Sequence, residues 1–357
     1  MKNYLTLVIL LFGNLAFSQN LEGIKEEEKT EKAEEISTEF SIPAIPALEL
    51  ISSDATDISR PSNIKKLAAS LYNGIDENGN IKQGLAIEVM PTEYLQINIA
   101  PDEYRNNRLK YILYNTQLSL GTIATSGDST NTDLGWGIRF VIFDNSDPMT
   151  NQDFINEFED LMSDCGPQSP TETVTDDEFK KCLKEKEKPI ADSFTKEKWN
   201  ASWMSIAYAG GTRLRGSEVS EGESIGHQVW LSGGFPLKSW GQFSYLAKWS
   251  EEYNDETAMM MKELEFGGKF LIGSKSYNLF AEASLKPLLN KDDFESNVMV
   301  ETDDFFSWTA GIEFKVSNGI WAVAGVGEDV NRIVGSDGIQ LLSGLRMGIS
   351  DKSRLKK

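Results

Sequence analysis

Phe305-Phe306-Ser307-Trp308-Thr309-Ala310-Gly311-Ile312-Glu313-Phe314-Lys315-Val316-Ser317 is the stretch that decides the fold class. Its even positions are all apolar, and its odd positions from Ser307 to Ser317 are small, polar or charged. A strand sends successive side chains to opposite faces, so one face of this segment is apolar and the other carries Glu313 and Lys315. Asn318-Gly319 follows, a two-residue hairpin signal, and then a second strand-like run begins at Ile320.

Working outward, the same alternation predicts strands near 84–91, 111–125, 134–144, 199–212, 224–236, 241–250, 260–273, 277–288, 305–317, 319–328 and 338–350. In 134–144 the apolar face is Leu134, Trp136, Ile138, Phe140 and Ile142. In 260–273 Leu264, Phe266, Phe270 and Ile272 oppose Glu263, Glu265 and Lys269. Many of these runs exceed the usual five or six residues of a globular strand and match the roughly 9–11 that a tilted strand needs to cross hydrocarbon. A soluble sandwich would turn such apolar faces inward, and a membrane barrel would turn them to lipid. Aromatics toward strand ends favour the barrel: Trp136, Trp203, Trp240, Trp249, Trp308 and Trp321, with Tyr111, Tyr208, Tyr253 and Tyr277. The expected fold is all-β, a transmembrane antiparallel up-and-down β-barrel of about 12 strands with a small helical insertion. Eleven runs are clear and barrels of this kind have even counts, so residues 66–73, ambiguous between helix and strand, are the candidate for the twelfth.

The N-terminus reads as a secretory signal peptide over 1–18. Lys2 is the positive region, Leu5–Phe17 the apolar core, and Ala16-Phe17-Ser18 a cleavage site before Gln19. Residues 19–39 form a charged tether rich in Glu and Lys. Residues 40–63, with Pro43, Pro46 and Pro61, suit an irregular segment packed on a scaffold. The barrel then covers 64–350, interrupted at 150–198, and a basic tail covers 351–357. In the interruption Phe154, Phe158, Leu161 and Met162 recur at helical spacing, and Thr175 stands as N-cap of a second helix. Cys165 and Cys182 are the only two cysteines, and in an exported chain they are expected to form one disulfide across this hairpin. The formal charge of −20 argues against nucleic-acid binding. Mean hydropathy is −0.34, which a soluble protein and a barrel share.

Pro46–Leu50, Ser59-Arg60-Pro61-Ser62-Asn63, Leu67–Gly74 and Gly84–Pro91 together resemble the opening of a family of uncharacterised outer-membrane β-barrel proteins widespread in the Bacteroidota. The resemblance is most specific over 43–91 and beyond that is one of architecture. It implies an outer-membrane barrel and implies no enzymatic activity, substrate or site. The chain departs from typical outer-membrane barrels in ending on Asp351–Lys357 rather than on a terminal aromatic.

Enzymatic constellations are weak. His227 is the only imidazole, shares strand parity with Val229 and Leu231, and reads as an interfacial residue. Gly127-Asp128-Ser129 sits in a turn-like stretch, and Asp76–Asn80 and the Asp329, Asn331, Asp337 set read as polar turns. No catalytic residues, no metal site and no cofactor are therefore expected. The polar constellation that recurs is a set of lumen-facing charges: Glu88, Arg139, Lys248, Glu263, Glu265, Lys269, Glu282, Lys286, Glu313, Lys315 and Arg346. They read either as a salt-bridged wall or as a solute path. Two functions follow. One is a channel or transporter for small polar solutes. The other is a non-enzymatic structural or accessory subunit of an outer-membrane secretion or envelope complex, docking through 19–39 or 150–198. Partners are then outer-membrane lipid and a periplasmic or outer-membrane protein. Strand alternation puts the insertion on the side of the short turns near 237–240, 274–276 and 318–319, the expected periplasmic side.

Overall fold

A computed structural model describes residues 45–51, 64–75, 81–95, 99–125, 128–167, 175–215, 222–254, 259–274, 276–290, 305–317, 320–329 and 339–347. Its main element is one antiparallel sheet of eleven strands in sequence order, each paired with the next. They are β1 (Ala86–Val89), β2 (Gln117–Thr125), β3 (Asp128–Asp144), β4 (Trp203–Leu214), β5 (Gly222–Leu237) and β6 (Gly241–Asn254). Then come β7 (Met259–Gly273), β8 (Tyr277–Lys286), β9 (Phe305–Ser317), β10 (Ile320–Asp329) and β11 (Ile339–Met347). All eleven overlap strands expected from alternation. No pairing joins β1 to β11 among the described residues.

Two expectations are corrected. Residues 66–73 do not form a twelfth strand; they lie in helix α2, Ile64–Asn73. The run has no alternation, and Leu67, Ala68, Ala69 and Leu71 are good helix formers. The second strand does not start at 111, because Arg108–Tyr114 is a helix whose N-cap Asn107 accepts from the Lys110 N–H at 3.1 Å. Tyr111-Ile112-Leu113-Tyr114 has strand-like composition, but Tyr111 is buried on one side of a helix turn and belongs to no aromatic girdle. A smaller correction concerns Asp128 and Ser129, which open β3 rather than occupy a loop.

The helices lie between strands. Pro91–Tyr94 (α3), Pro101–Asn106 (α4) and Arg108–Tyr114 (α5) connect β1 to β2. Gln152–Cys165 (α6) and Asp176–Glu197 (α7) connect β3 to β4, where the insertion was expected. Because successive strands reverse direction, both connections lie at the same end of the sheet as the turns after β5 and β7. They are tied together there. Tyr104 donates its phenol to Asp147 Oδ2 at 2.5 Å and accepts from Asn115 Nδ2 at 2.9 Å, all three buried. Burial, and then the adjacent Asp147 carboxylate, push the Tyr104 phenol well above the usual tyrosine range.

Helix α7 begins with a capping box: Glu178 N–H donates to Thr175 Oγ1 and Thr175 N–H to Glu178 Oε2. The Cys165–Cys182 disulfide closes the α6–α7 hairpin. Phe154 and Leu161 are buried in that hairpin, whereas Met162 is exposed. Among the described residues no helix is long and apolar enough to cross a membrane.

Candidate functional site

A short helix, α1 (Pro46–Leu50), lies on one face of the sheet, and that inner face is the candidate site. Five residues cannot hold a helix alone in water, so packing must fix it. Pro46 at the first turn presets φ, and Pro46, Ala47, Leu48 and Leu50 are all buried. The helix packs across β2, β3, β4 and β5. Its seat is a floor without side chains. Gly121 of β2, Gly135 and Gly137 of β3 and Gly211 of β4 stand beneath Leu48, Ala47, Pro46 and Leu50 in turn, and a Cβ added at any of them would collide with α1. Around this floor Leu50 packs with Ala207, Ala209, Trp230 and Leu246. Ala47 N–H donates to Ser119 Oγ of β2 at 3.0 Å.

The charges stand on this same face. Lys248 on β6 lies 3.2 Å from Glu49 Oε1 of α1 and 3.0 Å from Glu265 Oε2 of β7. Glu265 in turn holds Lys286 of β8 at 3.6 Å. A second group is more deeply buried. Lys269 Nζ sits 3.3 Å from Glu282 Oε2 and 3.7 Å from Glu313 Oε2, over the Phe280 ring at 4.6 Å. Asn278 Nδ2 donates to Glu313 Oε1 at 3.0 Å. Both groups are charge-paired, and hydrogen bonds from Lys248 and Asn278 reach the Glu49 and Glu313 carboxylates.

The outer face is the inverse. On β8 Glu282 is 5 % exposed and Leu279 is 57 % exposed. Phe266, Phe270 and Ile272 of β7 and Phe306, Ile312, Phe314 and Val316 of β9 are likewise exposed, while Glu265, Lys269, Thr309 and Glu313 are buried. Facing is therefore opposite to that of a soluble sandwich, whose apolar faces meet in a core.

Of the eleven expected lumen charges, six fall into the two groups: Lys248, Glu265 and Lys286, and Lys269, Glu282 and Glu313. Glu88, Arg139, Glu263 and Lys315 are half-buried and belong to neither. The Arg346 side chain lies outside the described residues, as do Asp76–Asn80, Gly127, Asn331 and Asp337.

Sequence reasoning missed five members of this face. Glu49 hid in an apolar segment with no strand parity. Asp133 and Arg213 form a bidentate pair, at 2.8 and 3.2 Å, on directly paired positions of β3 and β4, each one residue beyond the strand bounds expected for it. Gln228 Nε2 donates to Glu252 Oε1 at 2.6 Å.

His227 lies on the outer face, 4.0 Å from Glu251 Oε2, with its ring 5.1 Å from that of Trp249. Among the described residues no group of three His, Cys, Asp or Glu is placed to hold a metal. The aromatics divide. Trp240 and Tyr277 are exposed at the turn end and Tyr253 near the other, whereas Trp136 and Tyr208 meet in mid-strand at 5.4 Å. No protein-family model, curated protein or solved structure matches this chain.

Proposed function

We propose that the chain is an exported outer-membrane β-barrel, and that it serves as a non-enzymatic structural or accessory subunit of an envelope complex rather than as an open pore. The membrane part rests on the inverted faces: exposed Phe, Leu, Ile and Val on one side, buried ion pairs on the other. From Leu264 to Ile272 the apolar outer face of β7 covers about 20 Å along the membrane normal, at about 3.3 Å per residue and a tilt of about 40°, and Lys262 at its edge pairs with Glu251. That is most of the apolar band of such barrels, roughly 25 Å tall. Closure removes the unpaired edges that hydrocarbon cannot tolerate, and an even count asks for one strand more than the eleven described.

The single observation that carries the choice of function is α1 on its glycine floor. It occupies the inner face of β2 to β5, and Glu49 engages Lys248 on β6, which leaves the charges there bonded to one another. A solute path needs charge that faces water. The α6–α7 hairpin and the β1–β2 helices offer docking elements that a simple pore has no use for.

A planar lipid bilayer holding the purified full-length protein tests the choice. The expected result is no steady single-channel conductance. Discrete, reproducible conductance steps in the unaltered protein would establish the rival reading, a channel for small polar solutes.

A further inference from the structure

Helix α5 carries an apolar stripe that nothing among the described residues covers. Tyr111 is its buried residue, edge-on to Tyr104 at 5.0 Å. At about 100° per residue, Leu109 and Leu113 lie on the opposite side of the helix from Tyr111 and one turn from each other. They are 66 % and 54 % exposed. Leu95, in the turn after the neighbouring α3, is also exposed.

We propose that α5 is an in-plane lipid anchor, its Leu109–Leu113 stripe set into the boundary between headgroups and acyl chains. The inference rests on the barrel reading above and adds a second mode of lipid contact to it. Three observations select lipid as the occupant. The stripe adjoins the outer face of the sheet along the chain: α5 leads through Asn115 and Thr116 into β2, whose first outward side chain, Leu118, is exposed. The helix lies at the sheet end where Trp240 and Tyr277 are exposed, the level at which aromatics mark an interface. Its remaining positions include Arg108, whose guanidinium sits 5.3 Å from the Phe143 ring centre, and Lys110, paired with Glu103 at 2.7 Å. Cations beside an apolar stripe are the composition of helices that lie in anionic interfaces.

Site-directed spin labelling tests this, since both native cysteines are disulfide-bonded and an introduced thiol is the only target. Labels at Leu109→Cys and Leu113→Cys are compared with Leu279→Cys on the outer face of β8 and with the exposed Asn106→Cys on α4. The protein is reconstituted in phosphatidylethanolamine–phosphatidylglycerol vesicles. The measurement is the ratio of accessibility to oxygen over that to a water-soluble nickel chelate. The expected result is a ratio at 109 and 113 several-fold above that at 106 and below that at 279. If 279 reads as lipid while 109 and 113 read as water, the anchor is overturned and the barrel stands. If 279 reads as water, the barrel reading fails and the anchor falls with it.

Discussion

At the scale of single residues, the molecule depends on positions where a side chain is missing as much as on those where one is present. Gly135 has no Cβ because the Ala47 carbonyl occupies that space. Gly135→Val should dislodge α1 and destabilise the protein by about 1–3 kcal/mol, the usual cost of overpacking. Thermal melting in detergent would show the loss, and new protease cleavage near residue 45 would show its cause. Lys248 is the complementary case, a cation between two carboxylates. Lys248→Met leaves Glu49 and Glu265 without it, and removing one partner of a buried pair costs about 3–5 kcal/mol. A second change, Glu49→Leu, should recover part of that loss. A double-mutant cycle with no coupling between the two positions would show that the ion pair does not hold the helix.

At the scale of elements, the α6–α7 hairpin is stabilised locally and independently of the sheet. Its disulfide spans 17 residues of sequence, for which chain entropy gives about 3 kcal/mol. Reduction should speed amide exchange in residues 152–197 and leave β5 to β8 unchanged. Loss of protection throughout the sheet would mean that the hairpin supports the whole fold. The N-terminus of α7 responds to acid. The Thr175 N–H and hydroxyl hold the Glu178 carboxyl below its ordinary range. A depressed carboxyl contributes stability that is present above its unfolded value, about 4.3, and is lost as pH falls through the folded one. Amide protection in the first turn of α7 should therefore fade under acid, and Thr175→Ala, which loses the hydroxyl but keeps the backbone N–H, should weaken that dependence without abolishing it.

At the scale of the whole molecule, one end of the sheet gathers both helical connections together with the turns after β5 and β7. The other end bears the connections after β4, β6, β8 and β10. Barrels of the outer membrane keep short turns in the periplasm, so if the proposed barrel holds, the helical end lies there, with any protein partner that docks on it. A tag inserted at Pro170 should resist labelling on intact cells and react after the outer membrane is permeabilised. Strong labelling on intact cells would invert the topology.

The sequence by itself determined the strands and their faces, because alternation is local. Phe306, Ile312 and Phe314 against Thr309 and Glu313 are readable two residues at a time, and the structure places them on opposite faces as read. The disulfide pairing and the Thr175 cap were legible on other grounds, one from the count of cysteines and the other from spacing. Strand ends were less so, and Asp133 and Arg213 lay one residue past the bounds that alternation could set. Composition misled at Tyr111–Tyr114, where bulky residues favoured a strand until burial of Tyr111 and the Asn107 cap fixed a helix. Only the tertiary structure showed that Pro46–Leu50 seats on Gly121, Gly135, Gly137 and Gly211, and that Glu49 meets Lys248 from 199 residues away. Contacts of that separation depend on how four strands and a helix converge in space, and no local period in the chain records it.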